Sequence, residues 1–176
     1  MMNISLQGRE GSLPDQTTVL EAVKELWPEM NGLVLACLWG GQVLELNQPL
    51  RDGMALTFIT FAHEEGRRIY ERSLRFVFLL AARRLFPGWQ VRISNSIGYG
   101  LFLKVLGHTL TEDQVAALEK EMRGIIAQDL PFEKELWSRD QAMDYFSREG
   151  REDKVQLLSY RPGYDTPMYG CGGMWE

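Results

Sequence analysis

Apolar positions in the first sixty residues change period several times, and each change marks an element. Ile4 and Leu6 alternate with polar neighbours as a half-buried strand does, Gly8 and Gly11 signal a turn, and residues 12–14 read as a short return strand. From Thr18 the spacing lengthens: Val19, Leu20, Val23 and Leu26 fall on one helical face, and Thr18 with Glu21 forms a capping box at its start. Pro28 and Gly32 close that helix. The run 33–39 suits a buried strand, Gly40-Gly41 a two-residue hairpin turn, and Val43, Leu44 and Leu46 its return. Asp52-Gly53 then turns the chain into a last strand over 54–61. Strand, strand, helix and three more strands is the order of a ubiquitin-like β-grasp.

A polar joint follows, His63-Glu64-Glu65-Gly66, and after it a long apolar helix that ends at Pro87-Gly88. The pattern predicts strands over 91–94 and 101–106. Thr111 with Gln114 caps a helix carrying Val115, Leu118, Met122, Ile125 and Ile126 at helical spacing. Residues 131–137 read as a strand, and Ser138 with Gln141 caps a further helix that stops at Gly150. Helices alternating with strands predict an α+β sandwich, with helices on one face of a sheet. The expected organisation is two domains, 1–62 and 63–176.

The chain has 176 residues and 45% apolar content, enough for ordinary cores. Its net charge of -5 argues against a protein that coats nucleic acid, but the signs are segregated. Residues 67–92 hold seven arginines against Glu71 alone, whereas residues 111–154 hold twelve acids against seven bases. Arg68, Arg72 and Arg75, spaced four and three, form a helical stripe facing away from Phe76, Leu79 and Leu80. Arginine grips phosphate in a bidentate fork, so these three are candidates for a phosphate or RNA site. The alternative is a solvated face paired with the acidic helix at 111–129.

Catalytic chemistry finds little support. Cys37 and Cys171 are far apart, with no spacing of a disulfide framework or zinc knuckle, and they fit a reducing cytoplasm. His63 and His108 lie in a joint and a hairpin, so neither a metal cluster nor a cysteine with a nearby base is expected. No segment approaches eighteen consecutive apolar residues, so neither secretion nor membrane insertion is indicated. No Gly-x-x-x-x-Gly-Lys-Ser/Thr phosphate cradle occurs, and no cofactor is expected in this chain.

Several motifs carry a resemblance. Glu64-Glu65-Gly66, Arg72-Ser73, Leu85-Phe86-Pro87, Leu110-Thr111-Glu112-Asp113, Leu118-Glu119-Lys120-Glu121-Met122, Phe146-Ser147-Arg148-Glu149-Gly150 and Lys154-Val155 resemble the second, editing domain of threonyl-tRNA synthetase. The preceding residues resemble its TGS domain. Tyr70-Glu71-Arg72-Ser73-Leu74-Arg75 and Arg151-Glu152-Asp153-Lys154-Val155-Gln156-Leu157-Leu158 look more like the same pair in bacterial uridine kinase-like nucleoside kinases, where it precedes a P-loop kinase domain.

The resemblance implies a hydrolytic pocket built from a His-x-x-x-His helix and a later Cys-x-x-x-His. Counting back from Leu85-Phe86-Pro87 places Phe76 and Leu80 where the histidines stand in the synthetases. Those side chains can pack but cannot move protons. Cys171 is followed by Gly172-Gly173-Met174-Trp175, with no histidine. The expectation is a non-catalytic accessory or regulatory region, truncated at the end of its second domain, whose partner is a covalently linked kinase domain. A vestigial apolar cleft is expected between Phe76, Leu80, Tyr99 and Phe102. A free-standing RNA- or tRNA-binding or editing-related factor, with an RNA or nucleotide ligand, and a protein interaction module are the rivals. Trp27, Trp39, Trp89 and Trp137 read as packing residues.

Overall fold

The computed structural model describes residues 1–97, 100–161, 163 and 165–176, with the backbone alone for residues 94–97. The chain is mixed α+β and divides into two compact units, Met1–Leu74 and Arg75–Glu176. No described helix is long and apolar enough to cross a membrane.

In the first unit, β1 (Met2–Leu6), β2 (Arg9–Leu13), β3 (Val34–Trp39), β4 (Gln42–Leu44) and β5 (Ala55–Thr60) form one sheet in the order β2-β1-β5-β3-β4. The β1 and β5 strands are parallel, and every other neighbouring pair is antiparallel. Alternation sends Met2, Ile4 and Leu6 to one face, where they meet Leu56 and Phe58. Helix α1 (Val19–Leu26) supplies Val19, Ala22 and Val23 to the same core. Each of the two valines contributes roughly 1.5–3 kcal/mol by leaving water. The Thr18–Glu21 capping box forms as the sequence predicts, and the cap is worth about 1 kcal/mol. Trp27 ends the helix, packs edge-on against Phe58, and donates its Nε1 hydrogen to the Leu6 carbonyl at 2.9 Å.

Two glycines have roles that differ from the sequence reading. The turn sits at Gln7-Gly8, both with positive φ (52° and 82°), and not at Gly11. Gly11 lies inside β2, where an added Cβ would meet Leu26 Cδ2 at 2.5 Å. The joint expected at residues 63–66 is helical: α2 runs Glu64–Leu85, crossing from the first unit into the second. His63 carries the N-cap position, since its carbonyl accepts from Arg67 N at 3.0 Å and its Nδ1 accepts from Thr60 N at 3.1 Å. Glu64 and Glu65 then sit at the positive end of the helix dipole. Gly66 lets the helix backbone touch the end of β5, because a Cβ there would collide with the Thr60 carbonyl.

The second unit contains the rest of α2, β6 (Val91–Ile97), β7 (Gly100–Val105), α3 (Glu112–Ala127), β8 (Glu133–Ser138), α4 (Arg139–Arg148), α5 (Glu152–Tyr160), β9 (Asp165–Cys171) and β10 (Met174–Trp175). Its described strands do not form the single sheet that alternation suggested. They divide into an antiparallel sheet β10-β9-β8 and a separate β6-β7 hairpin. The capping boxes at Thr111 and Ser138 both form. Helix α5 and strands β9 and β10 lie beyond the elements read from periodicity. Two buried clusters result. One joins Phe76, Val77, Leu80, Ala81 and Ala82 to Leu118, Ile125, Cys171 and Met174; the other joins Ala142, Phe146, Leu158 and Met168.

Candidate functional site

Helix α2 carries the arginine stripe and two of the four predicted cleft residues, and its turns place them in unlike surroundings. Phe76 and Leu80 are 7% and 2% exposed, and both belong to the larger cluster of the second unit. Four residues of helix separate them by about one turn, so they share a face. Phe132 meets Phe76 edge to face, with ring centroids 5.3 Å apart. At Leu80 the wall is backbone: a Cβ on Gly172 would lie 2.9 Å from Leu80 Cδ2. The β9-β10 turn is thus pressed onto the face of α2 where the resemblance would put imidazoles. Phe102 stands on β7, 52% exposed, and takes no part in that cluster. Tyr99 lies outside the described residues.

Cys171 belongs to this wall but not as a reactive group. It is 5% exposed, its Sγ lies 4.0 Å from the Leu130 carbonyl, and burial raises its pKa, with Glu133 adding to the rise and Arg84 opposing it. A thiol so placed stays protonated and unreactive. Cys37, in the first unit, is wholly buried, and desolvation pushes it up to about 11.

The arginine stripe resolves differently. Arg68 pairs with Glu64 at 2.6 Å and with Glu65 at 3.5 Å, and Arg72 pairs with Glu65 at 3.0 Å. The acids that balance these arginines come from the same helix and not from α3. Counted from residue 64, Glu64, Glu65 and Glu71 balance Arg67, Arg68 and Arg72. Arg75 is half-buried and engaged in an interaction of its own. Only further along does α2 reach the acidic helix, where Arg84 meets Glu121 at 3.1 Å.

A second polar constellation lies in the second unit, in a cleft of about 520 Å³. The end of α2, the Pro87-Gly88 turn, the end of α4 and β10 line it. Arg83 bonds to Glu149 at 2.7 Å and donates to the Tyr145 hydroxyl at 3.1 Å, which also accepts from Trp175 N at 3.0 Å. Arg151 is held between Asp153 and Glu176, at 3.1 and 3.4 Å, and Lys154 reaches Glu176 at 2.7 Å. The Arg151 hydrogen bond lowers the pKa of Asp153 against the opposing effect of burial, and the arginine's charge and the Lys154 backbone N–H add smaller lowering effects. Every charge of this network has an opposite partner, so it fastens the α4–α5 junction to the last strand. Periodicity missed it because α5 and β10 were unread. One signal was available: Gly172-Gly173 repeats the two-glycine hairpin signature of Gly40-Gly41.

No family model matches the chain. Curated relatives do. The threonine–tRNA ligase of Desulforamulus reducens is 31% identical over 166 residues, covering 92% of this chain and 26% of the relative. That of Syntrophomonas wolfei is 28% identical over 164 residues with the same coverage, and that of Rhodopseudomonas palustris is 30% identical over 169 residues, 96% of this chain. The chain spans about a quarter of the length of the curated relatives it matches. Along nearly its whole length this chain is threonyl-tRNA synthetase-like.

Proposed function

We propose that the chain is a non-catalytic accessory region, made of a β-grasp domain of the TGS type and an editing-like domain without hydrolytic groups. The observation that carries this reading is the packing of Phe76 and Leu80. Both are buried against Phe132 and the Gly172 backbone at the positions where general acid–base groups would have to stand. Support for the β-grasp comes from the sheet order, with parallel β1 and β5 at its centre and α1 packed on one face. The fold does not fix the activity, and the site carries the argument.

The wording of the motifs at 70–75 and 151–158 favours the nucleoside-kinase setting, in which this pair precedes a P-loop domain that transfers phosphoryl groups from ATP to a nucleoside. Two measurements test these claims separately. Incubated with mischarged threonine tRNA, the purified chain is expected to release no amino acid above the buffer rate. Hydrolysis that disappears in Cys171→Ala would overturn the non-catalytic reading. Reading the natural gene past Glu176 tests the kinase setting: a P-loop motif supports it, and an immediate stop codon sinks it.

A further inference from the structure

The β6-β7 hairpin sets Arg92 directly opposite Lys104 across an antiparallel pair. Opposed like charges destabilise a sheet, so such a pair needs a reason. Neither side chain is ion-paired among the described residues, and both are exposed. The flanking sequence supplies no acid. Residues 72–111 contain Arg72, Arg75, Arg83, Arg84, Arg92 and Lys104, and not one Asp or Glu. Of these, Arg72, Arg83 and Arg84 are neutralised by Glu65, Glu149 and Glu121. The uncompensated charge is concentrated on the hairpin.

Phe102 and Leu106 stand two residues to either side of Lys104, so the alternation of a strand places all three on one face. They are 52% and 38% exposed, while Val105 between them is buried on the other side. Leu106 stays in the ladder, its N–H donating to the Gln90 carbonyl at 2.9 Å. Along β7 the outer face therefore reads apolar, cationic, apolar, at steps of about 7 Å. The described sheet has only these two strands, so the far edge of β7 offers unpaired backbone groups.

From this face we infer a docking site for an extended peptide segment of a partner protein, reading apolar, any, acidic, any, apolar. The segment adds as a strand along β7. Its central carboxylate bridges Arg92 and Lys104, and its flanking apolar side chains cover Phe102 and Leu106. The period of two along the face matches a peptide strand. A nucleic acid fits less well. Two cations are few for a backbone that is gripped by many, and the stripe on α2 that could have extended the field is balanced by Glu64, Glu65 and Glu71. The inference does not depend on whether a kinase domain follows the chain.

A library of linear seven-residue peptides displayed on phage, selected on the full 176-residue chain, tests it. The expected result is enrichment of Asp or Glu with apolar residues two positions to either side. The best peptide, synthesised with its acid changed to the amide, should bind at least tenfold more weakly. Lys104→Glu separates binding from folding, because it places opposite charges across the strands: melting should be unchanged or raised while peptide binding falls at least tenfold. Phe102→Ser should weaken binding severalfold. The inference fails if no acidic pattern is enriched, or if Lys104→Glu leaves peptide binding intact. It also fails if labelled decauridylate binds more tightly than the selected peptide and Lys104→Glu abolishes that binding, which would make the face a nucleic-acid site.

Discussion

The two units differ in how they gather their buried apolar side chains. The first gathers its core on one five-stranded sheet and one helix, and Leu6, Val19 and Cys37 are completely buried. The second splits its strands between two sheets and its buried side chains between two clusters. It leaves Phe102, Val115, Ile126, Leu136, Leu157 and Tyr160 each at least half exposed. The comparison teaches where each unit puts its charges. In the first, the short Arg68–Glu64 pair lies within one helix, and Arg9–Glu29, which reaches from β2 to the turn after α1, is 3.8 Å long. In the second, ion pairs tie elements together, as Arg83 does between α2 and α4 and Arg151 between α5 and β10. A unit with divided cores relies more on such ties.

The largest expected effects attack the cores themselves. Leu6→Ala, at the centre of the single core, should destabilise the first unit by about 3–5 kcal/mol, and Leu80→Ala should cost the second about 2–4 kcal/mol. Hydrogen exchange of each unit's own amides measures both. A larger loss at Leu80 would reverse the comparison. Phe76→His with Leu80→His should also cost several kcal/mol, since it buries two imidazoles in a cluster of apolar side chains.

Backbone contacts come next. Gly66→Ala should destabilise the first unit by about 1–3 kcal/mol, because the new methyl group meets a carbonyl that cannot swing away. Gly124 in α3 is the contrast. Nothing lies within 4 Å of an added Cβ there, so Gly124→Ala should stabilise the second unit by about 0.5–1 kcal/mol. Urea midpoints for the two variants should move in opposite directions.

The pH dependence is of similar small size and belongs to the first unit. Burial raises the Cys37 thiol from 9.0 to about 11, so its contribution to stability is complete below pH 9. It is lost as pH rises through the interval up to about 11, since the unfolded chain ionises first. Cys37→Ala should remove roughly 1 kcal/mol of alkaline sensitivity by pH 10, read as the difference in stability between pH 8 and pH 10.

Legibility in the sequence followed the same division. Elements announced by local chemistry were readable: three capping boxes stand where Thr18, Thr111 and Ser138 put them, and the Gly40-Gly41 hairpin forms. Elements specified by tertiary contact were not. The helical start at Glu64 depends on His63 binding Thr60, and Gly11 is small because of Leu26. Strand β9 hides behind Pro167 and Gly170, both poor strand formers, and Gly170 is needed because the Trp175 ring lies 2.8 Å from where its Cβ would be. For the candidate site, the spacing of Phe76 and Leu80 on one helix face was legible, and both side chains are buried in one cluster. The pairing of Arg68 and Arg72 was hidden by a window that began just after Glu64 and Glu65.

The Trp175 ring that rests on Gly170 also lies 5.1 Å from Trp137, tilted by 41°. Two indoles so close and so skewed couple their transition dipoles. The second unit is therefore expected to show its own chiroptical signature in the ultraviolet, a paired positive and negative band lost when β10 leaves β9, which circular dichroism would read. A spectrometer could follow that one strand while the rest of the chain stays folded.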